Sequence, residues 1–165
     1  MPSDDTTCET GQTDLPANYL EVLGLLERLH RLLLDLIKDE FERLRIEEIN
    51  PVQALLLYNI GTAELSVGEL RSRGYYQGSN VSYNLKKLVD LGYMQQQRSS
   101  ADRRSVRVRL TEKGRNVREI VGGLFARHAD GLEKNGMLNL DSLDRISRSL
   151  KRIERYWSDQ IRYIY

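Results

Sequence analysis

The sequence is poor in the residues that staple or metallate a small protein. Its one cysteine, Cys8, has no partner for an internal disulfide, which fits a reducing compartment. The two histidines, His30 and His128, lie far apart, and no acidic residues are spaced to complete a metal site with them. Proline occurs only at Pro2, Pro16 and Pro51, so long stretches are free to be helical. Apolar runs such as Leu32 to Leu34 and Ala54 to Leu57 fall far below the roughly 18 residues that span a bilayer. No basic stretch followed by an apolar one opens the sequence, so a cytoplasmic location is expected. Glycine-rich phosphate loops, H-E-x-x-H and the nucleophile elbow are all missing, so neither an enzyme nor a cofactor is expected.

Charge is plentiful and unevenly placed. The whole chain carries 25 Lys+Arg against 24 Asp+Glu, a net +1. Residues 1–70 hold 5 basic against 14 acidic groups, a balance of −9, whereas residues 71–118 hold 12 against 3, a balance of +9. Clustered Lys and Arg, not net charge, release counterions from a polyanion, so the middle block reads as a nucleic-acid footprint. A solvated basic surface is the plainer alternative.

Residues 1–16 contain Asp4, Asp5, Glu9 and Asp14 with almost nothing apolar, and read as a disordered acidic tail. From Ala17 to about Arg45 a dense apolar series, including Leu25, Leu26, Leu29, Leu32, Leu33, Leu36 and Ile37, predicts a helix greasy on more than one side. At some 29 residues it would be about 43 Å long and would need a partner subunit to cover it. Asn50 and Pro51 open the next helix, and Gly61 closes it. Ser66 and Glu69 form a capping box for a short helix ending near Gly74. A third helix starts at Ser79 and carries Val81, Leu85 and Leu88 at helical spacing until Gly92, which completes a helix-turn-helix.

The period then changes to two. Tyr93 to Arg98 and Ser105 to Leu110 predict a β-hairpin whose tip holds Asp102, Arg103 and Arg104. Thr111 caps a helix to about His128, and Asp141 opens a last helix reaching Tyr156 or beyond. The fold class is mainly α with a small β-hairpin wing: a winged helix-turn-helix with long terminal dimerisation helices. The expected divisions are the tail 1–16, an N-terminal dimerisation helix 17–48, a winged part 49–112 and C-terminal dimerisation helices 113–165.

The run from Asp102 to Gly114 resembles the wing motif of MarR-family transcription regulators, D-x-R followed by a strand and L-T-x-x-G. Ser66 to Leu70 and the pattern Val81-Ser82-x-x-Leu85-x-x-Leu88-x-x-x-Gly92-Tyr93 are similar as well. The resemblance implies a homodimer that binds double-stranded DNA and acts as a repressor released by a small-molecule effector. It further implies that Asp102 orients a wing arginine, Arg104 by analogy, with the adjacent Arg103 as alternative. Arg71, Tyr83 and the Tyr75-Tyr76-Gln77-Gly78 connection depart from the family pattern, so its base preferences do not transfer.

With Val81, Leu85 and Leu88 facing inward, Asn80, Tyr83, Asn84 and Lys87 look outward, with Ser79 and Ser82 at the N-terminal end. Asn, Ser and Tyr can reach base edges or phosphates there. Arg103 and Arg104 suit a minor groove, while Lys86, Lys87, Arg98, Arg107 and Arg109 suit phosphates. Cys8 beside Glu9 is a poor thiolate and has no resolving cysteine, so redox sensing is not expected. The alternative function is a winged-helix module for protein assembly, with the wing on an acidic partner.

Overall fold

The structure is a computed structural model, and it describes residues 14–61, 64–72, 79–98 and 106–164. Its chain divides into two compact units, Met1–Gln53 and Ala54–Tyr165.

The first unit is dominated by α1 (Leu15–Leu44). It begins two residues before the expected start, because Pro16 sits in the first turn, where its missing N–H has no partner to lose. Arg45 ends it in the left-handed region at φ 58°, and the N–H of Ile46 reaches back to the Phe41 carbonyl at 2.9 Å. Ion pairs of the i, i+4 and i, i+3 kind, Arg31–Glu27 and Arg43–Glu40, lace its polar surface. Ile37 and Phe41 are buried, but Leu20, Leu25, Leu29, Leu32 and Leu36 remain exposed at three- to five-residue spacing. After α1, Asn50 and Gln53 cap reciprocally: the Gln53 N–H donates to Asn50 Oδ1 at 2.8 Å and the Asn50 N–H to Gln53 Oε1 at 3.1 Å.

That box opens α2 (Pro51–Ile60), inside which the two units divide. Its apolar run is buried all round at Ala54, Leu55, Leu56, Leu57 and Ile60, and Gly61 ends it at φ 71°. A two-residue strand, β1 (Leu65–Ser66), leads into α3 (Val67–Ser72), and the expected capping box closes with Ser66 N–H on Glu69 at 2.6 Å and Glu69 N–H on Ser66 Oγ at 3.1 Å. The third helix, α4 (Ser79–Asp90), precedes β2 (Met94–Arg98) and β3 (Val106–Leu110).

The expected two-stranded wing is in fact part of a three-stranded antiparallel sheet in the order β1-β3-β2. Met94 pairs with Leu110, Gln96 with Val108, and Leu65 with Val108 from the other side. Strand alternation turns Leu65, Met94, Val108 and Leu110 into the core and leaves Gln95, Gln97, Arg107 and Arg109 in solvent.

The next helix, α5 (Glu112–Lys134), continues six residues past the expected end at His128. Gly131 is accommodated within it, and Asn135 with Gly136 at φ 65° supplies the stop. Gly114, Val117, Val121 and Leu124 form its buried stripe, and the Phe125 ring meets Tyr58 of α2 edge-on at 5.1 Å. The last helix, α6 (Leu140–Ile164), is capped by Asn139, whose Oδ1 accepts from Ser142 N–H at 2.9 Å.

The tightest joint is between the end of α4 and the start of α5. Gly92 at φ 76° closes a Schellman motif, with Gly92 N–H on the Val89 carbonyl at 3.0 Å and Tyr93 N–H on that of Leu88 at 2.9 Å. Thr111 caps α5 by accepting from Gly114 N–H at 3.2 Å and donates its hydroxyl to the Gly92 carbonyl at 2.7 Å. A Cβ on Gly114 would overlap the Tyr93 carbonyl oxygen and stand 3.1 Å from its carbon, both backbone atoms that cannot rotate away. Gly114→Ala is therefore expected to destabilise the fold by about 3 kcal/mol. Urea unfolding measures this, and an unchanged midpoint would mean that the joint has room to spare.

Candidate nucleic-acid interface

The outward face of α4 follows from its buried one. Leu85 and Leu88 are in the core. At about 100° per residue, Tyr83 lies opposite their midpoint, and the residue is 66% exposed. Ser82, Lys86 and Lys87 are exposed beside it. Asn84 was expected to look outward but is half-buried, because it lies on the flank of the helix near the core face, and it already interacts within the chain. Ser79 and Asn80 occupy the first turn of α4, and their side chains lie outside what the structure describes, as does that of Arg98 at the end of β2. Asp102, Arg103 and Arg104 lie outside the described residues altogether.

The solvent face of the sheet adds a second cationic element. Gln95 stands opposite Arg109 and Gln97 opposite Arg107 in the β2–β3 register. With its amide oxygen turned toward Arg109, Gln95 accepts from Nε at 2.9 Å and Nη2 at 3.2 Å. Arg107 approaches Glu64 at 3.8 Å, with both side chains well exposed. The sequence marked Arg107 and Arg109 but not the groups that hold them, because Gln95 and Glu64 become neighbours only once the strand register is known.

Other features of the described residues give no comparable site. No group of three or more His, Cys, Asp or Glu side chains could hold a metal there. A groove of about 460 Å³ along α6 is lined by Arg148, Lys151, Arg152, Arg155, Tyr156 and Asp159. All six come from one helix, so it lacks the convergent walls of a ligand cavity. No helix among the described residues is long and apolar enough to cross a membrane.

Comparison with known proteins fits this geometry. Residues 49–114 match the winged helix DNA-binding domain family. The chain is 40% identical over 153 residues to the exopolysaccharide II synthesis transcriptional activator ExpG of Rhizobium meliloti (strain 1021), covering 91% of this chain and 77% of that protein. The chain belongs to the MarR family of winged-helix transcription regulators. Two solved MarR-type structures illustrate the shared fold. The transcriptional regulator SlyA superposes with a TM-score of 0.72 at 19% identity, covering 87% of this chain and 99% of that one. A mutant MarR from E. coli complexed with operator DNA gives 0.64 at 20% identity, covering 86% and 99%. This MarR-family chain is accordingly a DNA-binding transcription regulator, and its family comprises regulators, not enzymes.

In this regulator the Glu64–Arg107 contact joins the residue just before β1 to β3 at the surface, where exposed pairs contribute only about 0 to 1 kcal/mol. Glu64→Ala should therefore lower stability by less than about 1 kcal/mol in thermal unfolding. A larger loss would mean that the pair, not the backbone ladder, holds β1 in place.

Proposed function

We propose that the chain works in the cytoplasm as a homodimer on a pseudopalindromic operator, placing its two α4 helices in successive major grooves and its wings on the flanking minor grooves. The observation that carries this reading is the exposed face of α4, with Tyr83 at its centre and Lys86 and Lys87 beside it, in a chain segment of charge +9. Tyr83, Ser79, Asn80, Ser82 and, from its flanking position, Asn84 are the base-edge and near-phosphate groups. Lys86, Lys87, Arg98, Arg107 and Arg109 bind phosphates. Arg103 and Arg104 enter the minor groove, with Asp102 orienting one of them. Residues 49–112 form the reading part, and 17–48 with 113–165 the dimerising parts.

Dimerisation is supported by apolar groups that a monomer would leave in water. On α1 these are Leu20, Leu25, Leu29, Leu32 and Leu36, and on α6 Leu143, Ile146, Trp157 and Ile161. An effector is also part of the proposal, as the family resemblance implies. The family resemblance points to repression, whereas the relative from Rhizobium meliloti is named an activator; a reporter fused to the operator reads the sign.

Light scattering at micromolar concentration should give twice the chain mass, and a monomer would overturn the assembly. Titration of operator and scrambled duplexes at several salt concentrations tests the reading. Tyr83→Ala should cost about 1 to 3 kcal/mol on the operator and little on scrambled DNA. Lys87→Ala should weaken both alike and reduce the salt slope by about one per subunit. A flat salt response in the unmodified protein would favour the protein-assembly function instead.

A further inference from the structure

A Schellman motif satisfies the carbonyls near the end of a helix but leaves the cap residue and those beyond it to find other donors. At the end of α4 those carbonyls belong to Leu91, Gly92 and Tyr93, and all three are received by the first turn of α5. Tyr93 O accepts from the Thr111 N–H at 3.1 Å, and Gly92 O from the Thr111 hydroxyl at 2.7 Å. Leu91 O accepts from Lys113 Nζ at 3.2 Å. The same ammonium lies 4.2 Å from the centroid of the buried Tyr93 ring, a second contact beside that bond. It also places a positive charge at the negative end of the α4 dipole.

We infer that Lys113 is a positioning residue for DNA reading: it fixes the C-terminal end of α4 against α5 and so sets the angle at which the outward face of α4 is presented. The inference rests on α4 being the reading helix. Thr111 and Gly114 hold the backbone through short bonds and steric fit, and their loss would damage the fold itself. Lys113 differs, because its side chain is exposed and its contacts are made by a flexible stem. Removing the ammonium should release the angle of α4 without unfolding the domain.

The test compares Lys113→Met, which keeps the apolar stem, with Lys113→Arg, which keeps a donor and a cation for the ring, and with Tyr83→Ala as reference. Each is titrated on operator and scrambled duplexes and melted alone. Lys113→Met should lose about tenfold in operator affinity, change scrambled-duplex affinity by less than about twofold and keep its melting temperature, while Lys113→Arg recovers most of the loss. Equal losses on both duplexes would make Lys113 a phosphate contact and overturn the inference. So would a fall in melting temperature that tracks the affinity, which would make its role structural. If Lys113→Met binds normally while Tyr83→Ala fails on the operator, α4 reads DNA but Lys113 does not position it. If Tyr83→Ala also binds normally, the reading through α4 has failed and this inference falls with it.

Discussion

The contact between the Tyr93 carbonyl and Gly114 is the constraint on which the geometry of the second unit depends. Four elements meet there within a few residues: α4 has just ended, β2 begins one residue later, and β3 runs directly into Thr111 and α5. The close approach is possible only because position 114 has no Cβ, and it brings Thr111 near enough to serve both as cap of α5 and as donor to Gly92. One glycine and one threonine thus join α4, the strands of the wing and α5. The pairing of Met94 with Leu110 follows from the same joint, since β2 starts and β3 ends beside it.

Among the described residues, the ion pairs of the helices differ from the contacts of the sheet arginines in a way that net charge conceals. On α1 and α6 cations are matched by carboxylates about one helical turn away, as in Arg31–Glu27, Arg145–Asp141 and Arg148–Asp144 at 2.6 to 2.7 Å. Such pairs cancel locally and leave little field. In the winged part Arg109 is held by the neutral amide of Gln95, and Arg107 meets Glu64 only at a long 3.8 Å. An amide orients a guanidinium without neutralising it, so the charge remains available to a polyanion. This contrast makes the basic middle block a stronger argument for DNA than its count of arginines alone.

Much of the fold was legible because local chemistry settles it. The cap at Asn50, the Ser66–Glu69 box, the turn at Gly92 and the alternation of Val106 to Leu110 each depend on residues no more than five apart. What escaped notice depends on partners distant in sequence or on packing. A strand of two residues, Leu65–Ser66, has no period to detect and exists because β3 offers it a free edge. The continuation of α5 through Gly131 shows a helix tolerating a poor helix former when a better stop, Asn135 and Gly136, follows closely. On α4 the inward positions were identified correctly at Leu85 and Leu88, yet Asn84 was given too much exposure, because a flanking position is decided by how far the neighbouring elements wrap around the helix. Lys113 was invisible as a contact for a similar reason: it is 22 positions away from the carbonyl it binds.

These features bear on how a signal could travel through the second unit. Coupling between two places requires an element with two available arrangements that both can bias, not mere continuity of chain. Most of the α4–α5 joint cannot offer that, since the fit of Gly114 under Tyr93 and the short Thr111 bonds have one arrangement each. The side-chain bond from Lys113 to Leu91 is the soft part, long enough at 3.2 Å and exposed enough to be made or broken at low cost. Beyond this joint, α5 runs 23 residues to Lys134 and passes through a short capped turn into α6, whose Leu143, Ile146, Trp157 and Ile161 are exposed. In the proposed dimer those residues are covered, and the Lys113–Leu91 bond is the contact that such a signal would have to bias to redirect Tyr83, Lys86 and Lys87.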